Sequence, residues 1–256
     1  MNKIAQVFTK GKVFIPFITG GDPDLATTEK LLYALYESGA GLIEIGIPFS
    51  DPIAEGPVIE ASAERALKAG CTVDKLFEMI ARVRDDIKVP LVFMTYYNPI
   101  FAYGIEKFVD KCAVCGIDGL IVPDLPFEEQ DELQSPLKAR GLTLISLIAS
   151  TSEGRVRDIA ADAEGFVYCV SSLGVTGTRD DLGGAAAQMV ANVRAITKTP
   201  CAVGFGISSP EQAREVVAYA DGVIIGSAIV QIIAKHGSES VEPVRQFAAA
   251  VQVAIL

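Results

Sequence analysis

The residue best placed to do chemistry is Glu44, in the apolar run Leu42-Ile43-Glu44-Ile45-Gly46. A carboxylate inside such a strand is costly unless it is paired or protonated. Side chains alternate along a strand, so Leu42, Glu44 and Gly46 share one face. Burial raises a carboxyl pKa toward neutrality, the range that suits a general acid/base. The competing reading is a packing element hydrogen-bonded to a neighbour. Glu55, eleven residues on, lies in the loop Pro48-Phe49-Ser50-Asp51-Pro52-Ile53-Ala54-Glu55-Gly56-Pro57. Loops this long between a strand and a helix are often functional. A fold-back would bring a second carboxylate to the same place, and two carboxylates in different environments can divide acid and base work. Alternatively, Asp51 and Glu55 are solvated charges at a helix start.

Three glycine-bearing segments follow three consecutive apolar runs: Ser171–Gly177, Gly204–Ser208 and Gly226–Ala228. Glycine lets the backbone approach an anion closely. Gly226-Ser227 sits where a strand meets a new helix, whose free N–H groups make a phosphate site. Ordinary strand-end turns are the plainer reading. Tyr168 lies in a strand and either closes over a ligand or fills the core. Asp124, in Pro123-Asp124-Leu125-Pro126, orients a neighbour or caps its loop. Phe17, Phe93, Ile121, Leu147 and Phe205 lie near strand ends, where they line an apolar pocket or form core layers.

These residues need a scaffold that brings strand ends together. Apolar runs recur at Val13–Ile18, Leu42–Ile47, Leu91–Thr95, Leu120–Val122, Leu142–Ile148, Phe166–Val170, Ala202–Phe205 and Gly222–Ile225. Short continuous apolar strands are buried on both faces, as in parallel sheets. Helical stretches separate them, among them Ala26–Ser38, Ile59–Lys68, Ile105–Cys115 and Pro210–Tyr219. Gly39 and Gly116 stand as C-terminal caps, and Ser209-Pro210-Glu211 reads as an N-cap followed by a first-turn proline and acid. A closed (β/α)₈ TIM barrel and an open doubly wound sheet both use this alternation. Eight strands in 256 residues favour the barrel, and no GxGxxG follows the first strand. No linker divides the chain, so residues 1–256 are expected to form a single (β/α)₈ barrel domain with extra short helices.

Composition excludes several function classes. The net charge is −10, with no basic stripe of the kind a nucleic-acid surface needs. No apolar run reaches the 18 or so residues that span a bilayer, and the N-terminal stretch lacks the apolar core of a secretion signal, so a cytoplasmic location is expected. Cys71, Cys112, Cys115, Cys169 and Cys201 are odd in number and scattered, unlike a disulfide framework. Cys112 and Cys115 form an isolated CxxC, and the one histidine, His236, is far along the chain. No metal site is expected; the two cysteines read as small apolar residues on one helix face.

The run from Glu44 to Pro57 closely resembles the signature of the tryptophan synthase alpha subunit family. So do Pro16-Phe17-Ile18-Thr19 with Gly21-Asp22-Pro23, Tyr96-Tyr97-Asn98-Pro99, Pro123-Asp124-Leu125-Pro126, Gly174-Val175-Thr176-Gly177 and Gly204-Phe205-Gly206-Ile207. The resemblance runs in order along essentially the whole chain. It implies a lyase of tryptophan biosynthesis that cleaves indole-3-glycerol phosphate, by a retro-aldol reaction, to indole and glyceraldehyde 3-phosphate. It implies Glu44 as the acid/base at the breaking bond, Glu55 as the carboxylate partner of the indole N–H, and Tyr168 beside the reacting group. Phe17, Phe93, Ile121, Leu147 and Phe205 would flank the indole, and Gly177, Gly206, Gly226 and Ser227 would hold the phosphate. The family works as an α₂β₂ complex with a beta subunit that carries the pyridoxal phosphate (PLP). No cofactor is implied for the alpha chain itself. The loops Pro48–Pro57 and Leu173–Leu182 would act as lids.

The sequence departs from the family pattern at Glu55, where aspartate is usual. The extra methylene matters in a site where about 1 Å of misplacement can cost a hundredfold in rate. Glu60 stands where glutamine is common, and Ser172 where some members have arginine. Two other readings follow: a lyase that works without a partner, and a weakened subunit that mainly activates its beta partner. Without the resemblance, other sugar-phosphate isomerases and aldolases remain open. No lysine stands at a strand's C-terminal end, against a Schiff-base aldolase.

Overall fold

The computed structural model describes residues 3–149, 153–170, 182–204 and 206–256. Its strands are β1 (Val13–Thr19), β2 (Ile43–Gly46), β3 (Leu91–Met94), β4 (Gly119–Ile121), β5 (Thr143–Leu144), β6 (Ser146–Ile148), β7 (Val167–Val170), β8 (Cys201–Gly204) and β9 (Gly222–Ile225). All pairings are parallel, in the order β5-β4-β3-β2-β1-β9-β8-β7-β6. β5 and β6 are one stretch of chain interrupted at Ile145, whose N–H still donates to Leu120 O at 2.8 Å. That stretch bonds β4 on one side and β7 on the other. The sheet therefore closes into the TIM barrel, and the fifth apolar run supplies two short strands instead of one.

Alternation along the strands sorts the apolar residues into two cores. Val13, Ile15, Leu42, Val92, Phe166 and Ile224 pack together inside the barrel. Phe14, Ile18, Ile43, Ile45, Phe93 and Leu120 belong to the larger shell between barrel and helices. A strand buried on both faces has no polar side to show, which is why the apolar runs are continuous. The short helix Lys3–Val7 lies at the strands' N-terminal ends, with buried Ile4 in the inner core close against Gly119.

Local signals place the helices. Asp24 caps Leu25–Glu37 by accepting from Thr27 N at 2.7 Å. Ser209 caps Pro210–Val217 by accepting from Gln212 N, with Pro210 in the first turn. Gly116 closes Ile105–Cys115 in the left-handed region, φ 85°. Cys112 and Cys115 are buried on that helix, as two small apolar residues should be. The helix after the long loop starts at Pro57 and runs to Lys68, and Tyr97–Tyr103 is a helix that the apolar pattern does not reveal.

Candidate active site

The strands deliver their C-terminal ends to a cavity of about 820 Å³. In barrels of this kind that end is where chemistry is done. Glu44, Glu55 and Tyr168 all line it, together with Phe17, Leu147, Gly206, Gly226 and Ser227.

Glu44 projects inward from β2, flanked in register by Phe17 of β1 and Val92 of β3. It is fully buried, and neither carboxyl oxygen has a hydrogen-bond partner among the described residues. Desolvation alone pushes its pKa up to about 8, so at neutral pH the group holds a proton. The packing-element reading required a bonded neighbour, and none of the described residues supplies one. Such a carboxyl can give a proton and take one back near pH 7.

Glu55 reaches the cavity from the loop after β2. Burial first, and the charge of Glu60 second, raise its pKa to about 7. The loop is held from its neighbour: Ala54 N–H donates to Tyr96 Oη at 3.0 Å, and the rings of Phe49 and Tyr96 pack at 5.6 Å. The helix that follows is tied down by Thr19 and Ser62, whose hydroxyls are 2.6 Å apart. Asp22, also buried, accepts from Arg65 Nε at 2.8 Å and Nη2 at 2.7 Å. Loop and helix thus fix where the second acid can sit.

Tyr168 is buried in the inner core, and its phenol pKa is raised well above the ordinary value by burial and then by the Glu44 charge. Its ring lies over Gly204, where a Cβ would stand 2.6 Å from Tyr168 Oη. Gly46 does the same for Phe17, whose ring tip would meet an added Cβ at 2.7 Å. Missing side chains at these strand ends leave the room that the two rings occupy.

The phosphate-type features follow β8 and β9, and line the same cavity. Helix Ser227–His236 starts directly after β9, and its first backbone bond is from Val230 N to Gly226 O. The N–H groups of Ser227, Ala228 and Ile229 are therefore the first donors of the helix, without a partner inside it, and such ends favour anions. Gly206, at φ 76°, turns the chain beside them in a conformation that side chains resist.

Two expected pocket residues lie elsewhere. Phe93 faces the helices and packs edge-on against Phe77 at 5.8 Å; its neighbour Met94 lines the cavity instead. The reason is the two-residue period of a strand, which sends adjacent side chains to opposite faces. Ile121 does point inward, but it is buried in the inner core without lining the cavity. Phe205, Gly177, Ser172 and nearly all of the segment 173–182 lie outside the described residues. Asp124 orients a neighbour, accepting from Tyr97 N at 2.9 Å. Sequence reasoning missed Met94, Arg155 and Gln231. Met94 shares the face of inward-facing Val92, two residues before it, a phase that the apolar run alone does not show.

Among the described residues no cluster of three His, Cys, Asp or Glu could hold a metal ion, and no helix is long and apolar enough to cross a membrane.

The family model for the tryptophan synthase alpha chain matches residues 4–255. The tryptophan synthase alpha chain of Lacticaseibacillus casei is 44% identical over 255 residues, covering 100% of this chain and 96% of its own. That of Synechocystis is 49% identical over 242 residues, with 92% of each chain covered. The solved alpha subunit from Legionella pneumophila superposes with a TM-score of 0.91 at 35% identity, covering 100% of this chain and 98% of that one. A structure of the tryptophan synthase a2b2 complex from Pyrococcus furiosus has a chain that superposes with a TM-score of 0.89 at 37% identity, covering 95% and 99%. With its barrel closed, its acids in one cavity and its whole length matched, this chain belongs to the tryptophan synthase alpha chain family.

Proposed function

We propose that the chain carries out the alpha reaction of its family, the retro-aldol cleavage of indole-3-glycerol phosphate to indole and glyceraldehyde 3-phosphate, within a complex with a beta subunit. The observation that carries the site assignment is Glu44: a buried carboxyl at the cavity, with neither oxygen partnered among the described residues, and a pKa near 8.

The reaction breaks the bond between indole C3 and the first carbon of the glycerol chain. C3 gains a proton and the hydroxyl on that carbon loses one, so the bonding pair stays with the ring and a carbonyl forms. Glu44, protonated at rest, gives the proton to C3, and as carboxylate it accepts the hydroxyl proton. Positive charge develops on the ring as C3 is protonated, and the Glu55 carboxylate accepts the indole N–H and stabilises it. Tyr168 stands beside the reacting group. Phe17, Met94 and Leu147 flank the ring, and Gly206, Gly226 and Ser227 hold the phosphate through backbone N–H groups. An acidic chain has no bulk attraction for a phosphate, which makes such local donors necessary.

Both proton transfers are within the capacity of carboxyl groups, so the chain needs no cofactor of its own on this reading. PLP chemistry belongs to the beta subunit, which receives the indole. Exposed apolar side chains support docking: Ile53, in the loop after β2, and Phe101, in the helix Tyr97–Tyr103, are 80% and 63% exposed. Closure of one ring by strands from Val13 to Ile225 supports reading residues 1–256 as one domain. The reaction is assigned to the cytoplasm.

The test is indole release from indole-3-glycerol phosphate by wild type and Glu44→Gln, with and without a beta subunit. Activity that rises with the partner and vanishes in the variant is the expected result. Undiminished turnover by Glu44→Gln would remove Glu44 from the mechanism.

A further inference from the structure

Arg155 is the only basic side chain that lines the cavity among the described residues. It lies in the helix Glu153–Asp162, which follows β6. Around the same cavity stand two further acids besides the protonated Glu44, namely Glu55 and Asp124, in a chain of net charge −10. A dianionic phosphate ester entering this site meets repulsion from most of the molecule. The backbone donors at Gly206, Gly226 and Ser227 are neutral and act only at contact distance.

The guanidinium is placed for a different task. It is 45% exposed, so it meets solvent as well as the cavity. Its one partner among the described residues is Glu128, held by Nη2 at 2.8 Å. Glu128 is 62% exposed and belongs to the short turn Phe127–Glu129 after β4. An exposed pair of this type contributes little to stability, so a phosphate can displace it at small cost. Nε and Nη1 have no hydrogen-bond partner among the described residues, and a guanidinium fork matches phosphate geometry.

We propose that Arg155 is the substrate-recruiting residue: it draws the phosphate of the incoming substrate to the cavity mouth and passes it to the backbone cradle. This rests on the reading of the substrate given above. Arg155 acts before the chemical step, so it governs capture and leaves bond cleavage to the carboxyl groups.

The experiment is steady-state indole release in the complex, from about 20 to 500 mM salt, a range over which screening changes strongly. Wild type, Arg155→Gln, Arg155→Lys and the charge-matched control Arg214→Gln are compared. Arg214 lies on the outer helix Pro210–Val217. The expected result for Arg155→Gln is a KM raised roughly fivefold at low salt, an effect of the size steering gives, with kcat little changed and a flattened salt dependence. Arg155→Lys should keep the salt dependence, and Arg214→Gln should match wild type. An Arg155→Gln enzyme with wild-type KM and salt dependence overturns the proposal, as does a loss confined to kcat. Calorimetric titration of the same proteins with glyceraldehyde 3-phosphate separates the two readings. If wild type fails to release indole, the substrate assignment fails. Weaker binding of this phosphate ester by Arg155→Gln would still support recruitment, and equal binding would overturn it.

Discussion

The backbone N–H of Ala54 donates to the phenol oxygen of Tyr96 at 3.0 Å, so the residue before Glu55 is pinned to the segment that follows β3. A catalytic carboxylate on a loop is only as well placed as the contacts that hold the loop. Tyr96→Phe removes this bond and keeps the ring packing against Phe49. The bond is worth about 1 kcal/mol, and kcat/KM should fall roughly fivefold with the fold intact. Indole-release kinetics beside a thermal melt would show it; unchanged kinetics would mean that the loop is held by other contacts.

Glu44→Gln should lower activity by at least about a hundredfold, the scale of a lost acid/base. Its effect on stability runs the other way. With a folded pKa near 8 against 4.5 when unfolded, Glu44 binds a proton more tightly in the native state. Its contribution is full below about pH 4.5 and is lost as pH rises through 8. Wild type should therefore lose stability between pH 5 and about 8.5 that Glu44→Gln keeps, a difference on the order of a few kcal/mol. Urea denaturation of both proteins at the two pH values measures it, and parallel losses would contradict a protonated Glu44.

Glu55 must be ionised to accept the indole N–H, and Glu44 must be protonated to donate to C3. With pKa values near 7 and 8, kcat/KM should rise through 7, fall through 8 and peak between them. Glu60→Gln removes a charge that raises the Glu55 pKa. The acid limb of the profile should then move to lower pH while the alkaline limb stays. A shift of the alkaline limb alone would reverse the two roles.

Gly46→Ala would place a methyl group 2.7 Å from the Phe17 ring. Overpacking of this kind costs about 1–3 kcal/mol. The displaced ring should raise KM more than it lowers kcat, because Phe17 lines the cavity. Phe17→Leu in the same chain should recover part of the loss. A double-mutant cycle in which the two changes simply add would show that the residues do not compete for space.

Asp22 is buried and held by both nitrogens of the Arg65 fork. Asp22→Ala leaves the partly buried guanidinium unpaired, at a cost of about 3 kcal/mol. For a domain of this size the melting temperature should drop by roughly 6–12 °C. Arg65→Lys keeps the charge and loses the two-pronged geometry, so a smaller drop is expected by differential scanning calorimetry.

The amino-acid sequence by itself determined the alternation of apolar strand and helix, the caps at Gly116 and Ser209, and the placing of Glu44 on one face with Leu42 and Gly46. These are local properties, set by side-chain period and by hydrogen bonds within a few residues. The tertiary structure alone decided which face of each strand turns inward. In Leu91-Val92-Phe93-Met94 every residue is apolar because both faces are buried, so nothing in the run separates Phe93, outside the barrel, from Met94, inside it. Closure of the ring sets that phase, through the register that pairs Glu44 with Val92 and Gly46 with Met94. The same holds for Glu55. Whether a loop acid faces solvent or the cavity depends on where the loop folds, and that is fixed by Tyr96 and by the Asp22–Arg65 and Thr19–Ser62 contacts, partners more than forty residues apart in the chain. Likewise, the strand pattern showed that Glu44 was buried, but the absence of a partner among the described residues depends on what every neighbouring strand places beside it.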